Sequence, residues 1–235
     1  MKKIPIIFIL FACLACLACL ACTDINSLVD EISNNNMMES EYVGFGTKSK
    51  EYQRFQKLKS KASNEELIKL VEHENPIVRT YAYFSLIDRN LIKSSVAFEN
   101  AMQRNETYST MSADQLSDSD ICTEIYFNII NNYPKSETEI KQIDSLIVFK
   151  LDESHFLQYM ALNEKEHEET YNNRIVELAL EFDNHSAIFY INNNNIEIDK
   201  VKFKESIKRV IQNRNIGTKP INRLNNLLED LEKEN

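Results

Sequence analysis

SNEELIKLVEHENPIVRTYAYFSLIDRN, residues Ser63 to Asn90, reads as two amphipathic helices meeting at a tight turn. Ser63 followed three residues on by Glu66 is a capping box, in which each side chain satisfies a backbone N–H at a helix start. Leu67, Leu70 and Val71 then recur at helical spacing and give the first helix one apolar face. Asn75-Pro76 restarts the chain. Asn75 caps the second helix, and Pro76 in its first turn loses no hydrogen bond, because that N–H has no partner within the helix. Val78, Ala82 and Leu86 share a face through steps of four, with Ile77 and Tyr81 beside them. So short a connection sets the two helices antiparallel.

The run Pro76-Ile77-Val78-Arg79-Thr80-Tyr81-Ala82, continued to Leu86, resembles the second helix of a HEAT-like repeat, with its Pro-x-Val-Arg-x-x-Ala-x-x-x-Leu pattern. The resemblance implies that Arg79 supports the inter-helix turn by hydrogen bonds to neighbouring loops. It also implies antiparallel helix pairs stacked as a short α-solenoid, whose long concave face serves protein recognition. A second stretch, Arg174 to Leu180 followed by Ala187 to Tyr190, has the same helix, turn, helix outline but lacks both the Pro and the Arg.

Composition agrees with an all-α fold. Three glycines and four prolines in 235 residues are few for sheets and long loops. A formal charge of −9 speaks against nucleic acid, whose binders carry a basic footprint.

The first residues read as a targeting signal. Lys2 and Lys3 precede an apolar run from Ile4 to Leu20, in which Leu-Ala-Cys recurs up to Cys22. The pattern resembles a bacterial lipoprotein signal, which implies a lipidated cysteine at the cleavage point. Cys13 has Leu10 three residues before it; Cys22 has Cys19 there, but stands where the apolar run gives way to Thr23-Asp24-Ile25-Asn26. Cys22 is preferred, with Cys13 as the alternative. A membrane-spanning anchor and a plain secretory signal cut after Ala21 also fit the run. Cleavage before Cys22 removes Lys2, Lys3 and no acid, taking the formal charge from −9 to −11. It leaves Cys22 and Cys122 as the cysteines of the mature chain. Attached acyl chains at ~0.8 kcal/mol per buried methylene would hold it firmly on a membrane.

The expected organisation is a signal over 1–21, a flexible tether over 22–48 and a helical domain over 49–235. The Ser, Thr and Asp-rich segment 106–119 is read as the longest loop and a possible division. Helices are expected from near Ser49, before Asn105, from Ile121 towards Pro134, from a Ser136–Glu139 capping box, around Phe156 to Met160, over Tyr171 to Phe182, after Asp199, and after a Gly217 stop.

No motif commits the chain to chemistry. Glu164 and His167 form a Glu-x-x-His pair that a helix would place on one face, yet the second copy a di-iron bundle needs is missing. His73, His155 and His185 lack zinc spacing. Cys122 reads as a buried small hydrophobe, or as a reactive thiol with no basic neighbour in sequence to activate it. Tyr83 lies off the Val78–Ala82 face and is the candidate partner-contact residue; Asn75, Pro76 and Arg79 are structural. The resulting expectation is a membrane-anchored envelope lipoprotein that uses no cofactor and catalyses no reaction. It would bind an unidentified envelope protein, in one version as an inhibitor or immunity-type factor. The alternative is an envelope hydrolase or metal-binding enzyme on a helical scaffold.

Overall fold

The computed structural model describes residues 25–132, 137–152, 155–163, 165–213 and 216–233. The signal 1–21, Cys13, Cys22, Pro134, Ser136 and Glu164 lie outside them. The chain divides into two units at Glu139–Ile140, and not within 106–119.

The first unit begins with helix α1, residues 25–35, which buries Ile25, Leu28, Val29 and Ile32. Those positions fall at i, i+3, i+4 and i+7, the stripe of a core-facing helix. The expected tether is therefore largely fold. The Asn34–Asn36 run ends this helix: Asn36 adopts a left-handed φ of 46°, and its N–H donates to the Ile32 carbonyl at 3.2 Å. Strand β1 (Met37–Val43) follows, then a turn through Gly44 and Gly46 into the short β2 (Thr47–Lys48). Both glycines have positive φ, which side-chain-bearing residues adopt at a cost.

Four helices come next: α2 (Lys50–Lys61), α3 (Asn64–Leu70), α4 (Pro76–Asp88) and α5 (Ser94–Met102). The expected loop 106–119 is a β-hairpin, β3 (Thr107–Ala113) and β4 (Gln115–Asp120), leading into α6 (Ile121–Asn132). The strands form one mixed sheet in the order β2-β1-β3-β4, with β1 parallel to β3 and both outer pairs antiparallel. The described chain is thus mostly helical but not all-α. Serine and threonine hid the hairpin. Thr110 and Ser117 face each other across the strands and share a hydroxyl hydrogen bond of 2.9 Å, while Ala113 makes the turn at φ 53° without the usual Gly or Asn.

The hairpin α3–α4 sits at the centre of this unit. Both halves of the Ser63–Glu66 capping box are made, at 2.7 and 3.2 Å. Asn75 Oδ1 accepts from the N–H groups of Ile77 and Val78 at 2.9 and 3.2 Å, and its amide donates to Asn36 Oδ1 at 3.0 Å. One side chain thereby starts α4 and holds the end of α1. Arg79 is buried and donates to the carbonyls of His73 and Glu74, which leave the α3–α4 turn, at 2.7 and 2.9 Å. It also pairs with Glu106 at 3.3 Å. At the other end of α4, Arg89 donates to the carbonyls of Lys59 and Ala62 at 2.7 and 2.8 Å. The sheet is tied to α4 by the Tyr108 hydroxyl, 2.9 Å from Thr80 Oγ1.

Helix α7 (Glu137–Lys150) carries the boundary. The second unit continues with α8 (His155–Leu162), a 3-10 turn (Glu169–Tyr171), α9 (Asn172–Glu181), α10 (His185–Asn193), α11 (Lys200–Gln212) and α12 (Thr218–Lys233). Its core is aliphatic, with Ile147, Leu157, Ile175, Leu178, Ile188 and Ile207 fully buried. Asn184 caps α10 through the N–H groups of Ser186 and Ala187, and Asp199 caps α11 in the same way.

In urea unfolding, Asn75→Ala should lower stability by about 1 kcal/mol through the lost cap. Arg79→Ala should cost about 3 kcal/mol, since the turn carbonyls lose charge-assisted bonds inside the fold. Arg79→Lys should restore less than half of that, because an ammonium cannot reproduce the planar fork.

Candidate functional site

A cleft of about 660 Å³ opens between the sheet and helices α2, α4 and α6 of the first unit. That is within the usual range of ligand-binding pockets. Its apolar wall comes from helical spacing in α2 and α4, which sets Tyr52, Phe55, Tyr81 and Phe84 side by side. Phe55 stacks on Tyr81 at 4.5 Å between ring centres, and meets Tyr52 and Phe84 edge-on at 6.0 and 6.2 Å. Met38 from β1, Met111 from β3 and Phe127 from α6 complete it. Thioethers on such a wall adapt to differently shaped partners.

The charged groups are mostly acidic. Glu39, Asp88 and Glu124 line the cleft, with Lys59 as the basic side chain. Lys59 pairs with Asp88 and lies 5.9 Å from the centre of the Phe55 ring, so its charge is already met. Burial pushes the Lys59 ammonium down and the Asp88 carboxyl up. Glu39 accepts a 2.7 Å hydrogen bond from Ser49 Oγ, which also caps α2. Burial raises the Glu124 carboxyl as well. The Tyr81 hydroxyl is buried and approaches the Glu39 backbone without a hydrogen bond of good geometry; burial keeps it protonated far above its ordinary range. The cleft therefore offers an aromatic floor and carboxylates beside it. It suits an apolar group carrying positive charge, such as a lysine or arginine side chain of a partner.

Behind this wall lies Glu51, a fully buried acid in the first turn of α2. One oxygen accepts from Arg54 at 3.1 Å and the other has no hydrogen-bond partner. Arg54 bridges on to Glu31 of α1 at 2.9 Å. Burial outweighs the Arg54 guanidinium and lifts the Glu51 carboxyl to about 7.

The residues singled out from sequence fall in several places. Tyr83 is not a surface contact: it is 5% exposed. Every residue of α4 from Ile77 through Ile87 is buried, because the sheet, α2, α3, α5 and α6 surround it. Tyr83 is thus packed inside the unit, and what α4 presents instead is Tyr81 and Phe84, at the wall of the cleft. The sequence missed Met38 and Glu39, which fell in the expected tether, and the cleft role of Tyr81. Tyr52 and Phe55 carried the one usable signal, an aromatic pair at helical spacing.

His167 lies in the irregular stretch 165–168 and not on a helix. Its ring stacks on Tyr171 at 4.8 Å. His73 Nδ1 accepts from the Asn75 N–H at 3.0 Å and is occupied by the turn. Cys122 is buried, its thiol pushed up by burial and by Asp120, which removes the thiolate that nucleophilic chemistry needs. Among the described residues, no three His, Cys, Asp or Glu side chains gather as a metal site. Comparison with family models, curated proteins and solved structures finds no match.

Glu51 sets a pH dependence. A carboxyl raised from 4.5 to about 7 binds its proton more tightly in the folded state, so its contribution is complete below pH 4.5 and is lost as pH rises through about 7. Urea midpoints should therefore fall over that interval, and Glu51→Gln should flatten the fall, by on the order of 2–3 kcal/mol of stability at the alkaline end.

Proposed function

We propose that this chain is a membrane-anchored lipoprotein of the bacterial cell envelope that binds a protein partner and catalyses no reaction. Lipidation at Cys22 rests on the lipobox-like series ending at the edge of the apolar segment. The helix pairs, the HEAT-like α3–α4 foremost, serve as a short solenoid-like scaffold, and the recognition surface belongs to the first unit.

The observation that carries this reading is apolar surface left at one end of the sheet. Because β1 and β3 run parallel, the turns that follow them lie together, joined by a 2.6 Å hydrogen bond from the Gly44 N–H to the Ala113 carbonyl. Phe45 is fully exposed there, and Tyr42 and Leu116 are more than half exposed. Large apolar side chains gathered on a charged surface mark an interaction site. The same two strands supply Met38 and Met111 to the aromatic cleft, so a partner seated on the turns is positioned to place a basic side chain in it.

A photo-crosslinking amino acid at Phe45, in intact cells, should yield one discrete protein adduct. Glu substitution at Leu116 should reduce it severalfold without lowering the melting temperature. A chain that carries the crosslinker at position 45, is otherwise unchanged and gives no adduct removes the reading. The anchor is tested separately by metabolic labelling with an alkyne fatty acid. Cys22→Ser should lose the label and leave the membrane fraction, whereas Cys13→Ser should keep both. The reverse result would move the anchor to Cys13, and an unlabelled wild-type chain would remove it.

A further inference from the structure

A second cavity, of about 500 Å³, lies wholly within the second unit, between α8, α10 and the start of α12. Its walls are aromatic: Tyr159 from α8, with Phe189 and Tyr190 from α10. Its charge is of the opposite sign to that of the chain. Lys219 and Arg223, one turn apart on α12, both line it, and the exposed Glu166 is the acid that faces them. Lys165 also lines it, but its ammonium is held by both oxygens of Asp144 at 2.7 and 2.8 Å.

Among the described residues neither Lys219 nor Arg223 makes an ion pair. Arg223 stacks its guanidinium 4.1 Å from the centre of the Phe189 ring. Stacking uses the flat face and leaves the N–H edge to meet an acceptor, the geometry that suits carboxylate and phosphate groups. Ser186, also lining the cavity, is 4% exposed, and its hydroxyl has no hydrogen-bond partner. A buried hydroxyl left unpaired costs about 1–3 kcal/mol, which an incoming acceptor would relieve. The backbone N–H groups of Ser186 and Ala187 are already taken by Asn184, so at this helix start it is the hydroxyl that is left to join the two cations on a ligand.

We infer that this cavity binds a small organic anion, its carboxylate or phosphate held by Arg223, Lys219 and Ser186 and its apolar, ring-sized body lying against Phe189, Tyr159 and Tyr190. The site is independent of the cleft in the first unit and of any protein partner held there.

The test is calorimetric titration of the detergent-solubilised full chain, at low salt, with four probes: phenyl phosphate, benzoate, inorganic phosphate and phenol. Phenyl phosphate or benzoate should bind saturably, and the better of the two identifies the head group. Inorganic phosphate and phenol should each bind about tenfold more weakly or worse, since each keeps one half of the contacts. The exposed pair Lys219→Ala with Arg223→Ala should weaken binding at least about tenfold with an unchanged melting temperature. Ser186→Ala should raise the melting temperature of the free protein, by removing an unpaired buried hydroxyl, yet reduce the shift that the probe produces. No saturable binding of either aromatic anion overturns the inference. So does binding that survives the double substitution, or inorganic phosphate binding as tightly as phenyl phosphate.

Discussion

Arginine side chains that reach across to the carbonyls at the end of a neighbouring helix are the contact on which this structure depends. A helix leaves its last carbonyls without partners. Inside a stack of short helices water cannot always supply them. Arg89 takes those of Lys59 and Ala62 at the end of α2, Arg174 takes that of Val148 in α7, and Arg209 takes that of Leu180 in α9 at 2.6 Å. Arg79 does the same for the turn after α3. A planar fork of donors with a fixed positive charge both fills the lone pairs and meets the negative end of the helix dipole. The bonds of Arg89, Arg174 and Arg209 join helices 26 to 30 residues apart in sequence and so fix how the later helix is placed, while those of Arg79 hold its own hairpin turn.

Around those ties the two units solve burial differently. The first wraps α4 on all sides, with β3 and the helices α2, α3, α5 and α6 against it, and this enclosure is what buries Tyr83, Thr80 and Arg79 together. The sheet closes one side and leaves the cleft where its strands meet the aromatic faces of α2 and α4. The second unit has no strand among its described residues and packs aliphatic stripes around α9 and α10, with its cavity beside them. The cleft of the first unit is acidic and the cavity beside α8, α10 and α12 in the second is basic. Both hold aromatic rings, and the sign of the charge separates what each can accept.

Much of the helical unit was legible in the chain because its determinants are local. The Ser63–Glu66 box, the Asn75-Pro76 start, the Asp199 cap and the apolar spacing of α2 and α4 all act over three or four residues, the reach of one helical turn. Even α1 was written plainly in Ile25, Leu28, Val29 and Ile32, though the asparagines after it suggested a tether and in fact only ended the helix. The cleft was legible in part: Tyr52 and Phe55 declare a face, but nothing near them in sequence names Met38, Met111 or Glu124 as its other walls.

What the sequence determined by itself, then, is where helices begin, which stripe each hides and the charge the chain carries. Tertiary structure alone decided that Thr107–Asp120 pairs as strands, since serines and threonines have no apolar alternation to declare and find their reason in β1, whose Met38 meets Tyr108 across seventy positions at 3.7 Å. It also decided that Tyr83 is enclosed, and that Arg223 stands over Phe189 in a cavity that Lys219 lines as well. Burial and charge grouping are sums over neighbours from the whole chain, and no window of a few residues contains them.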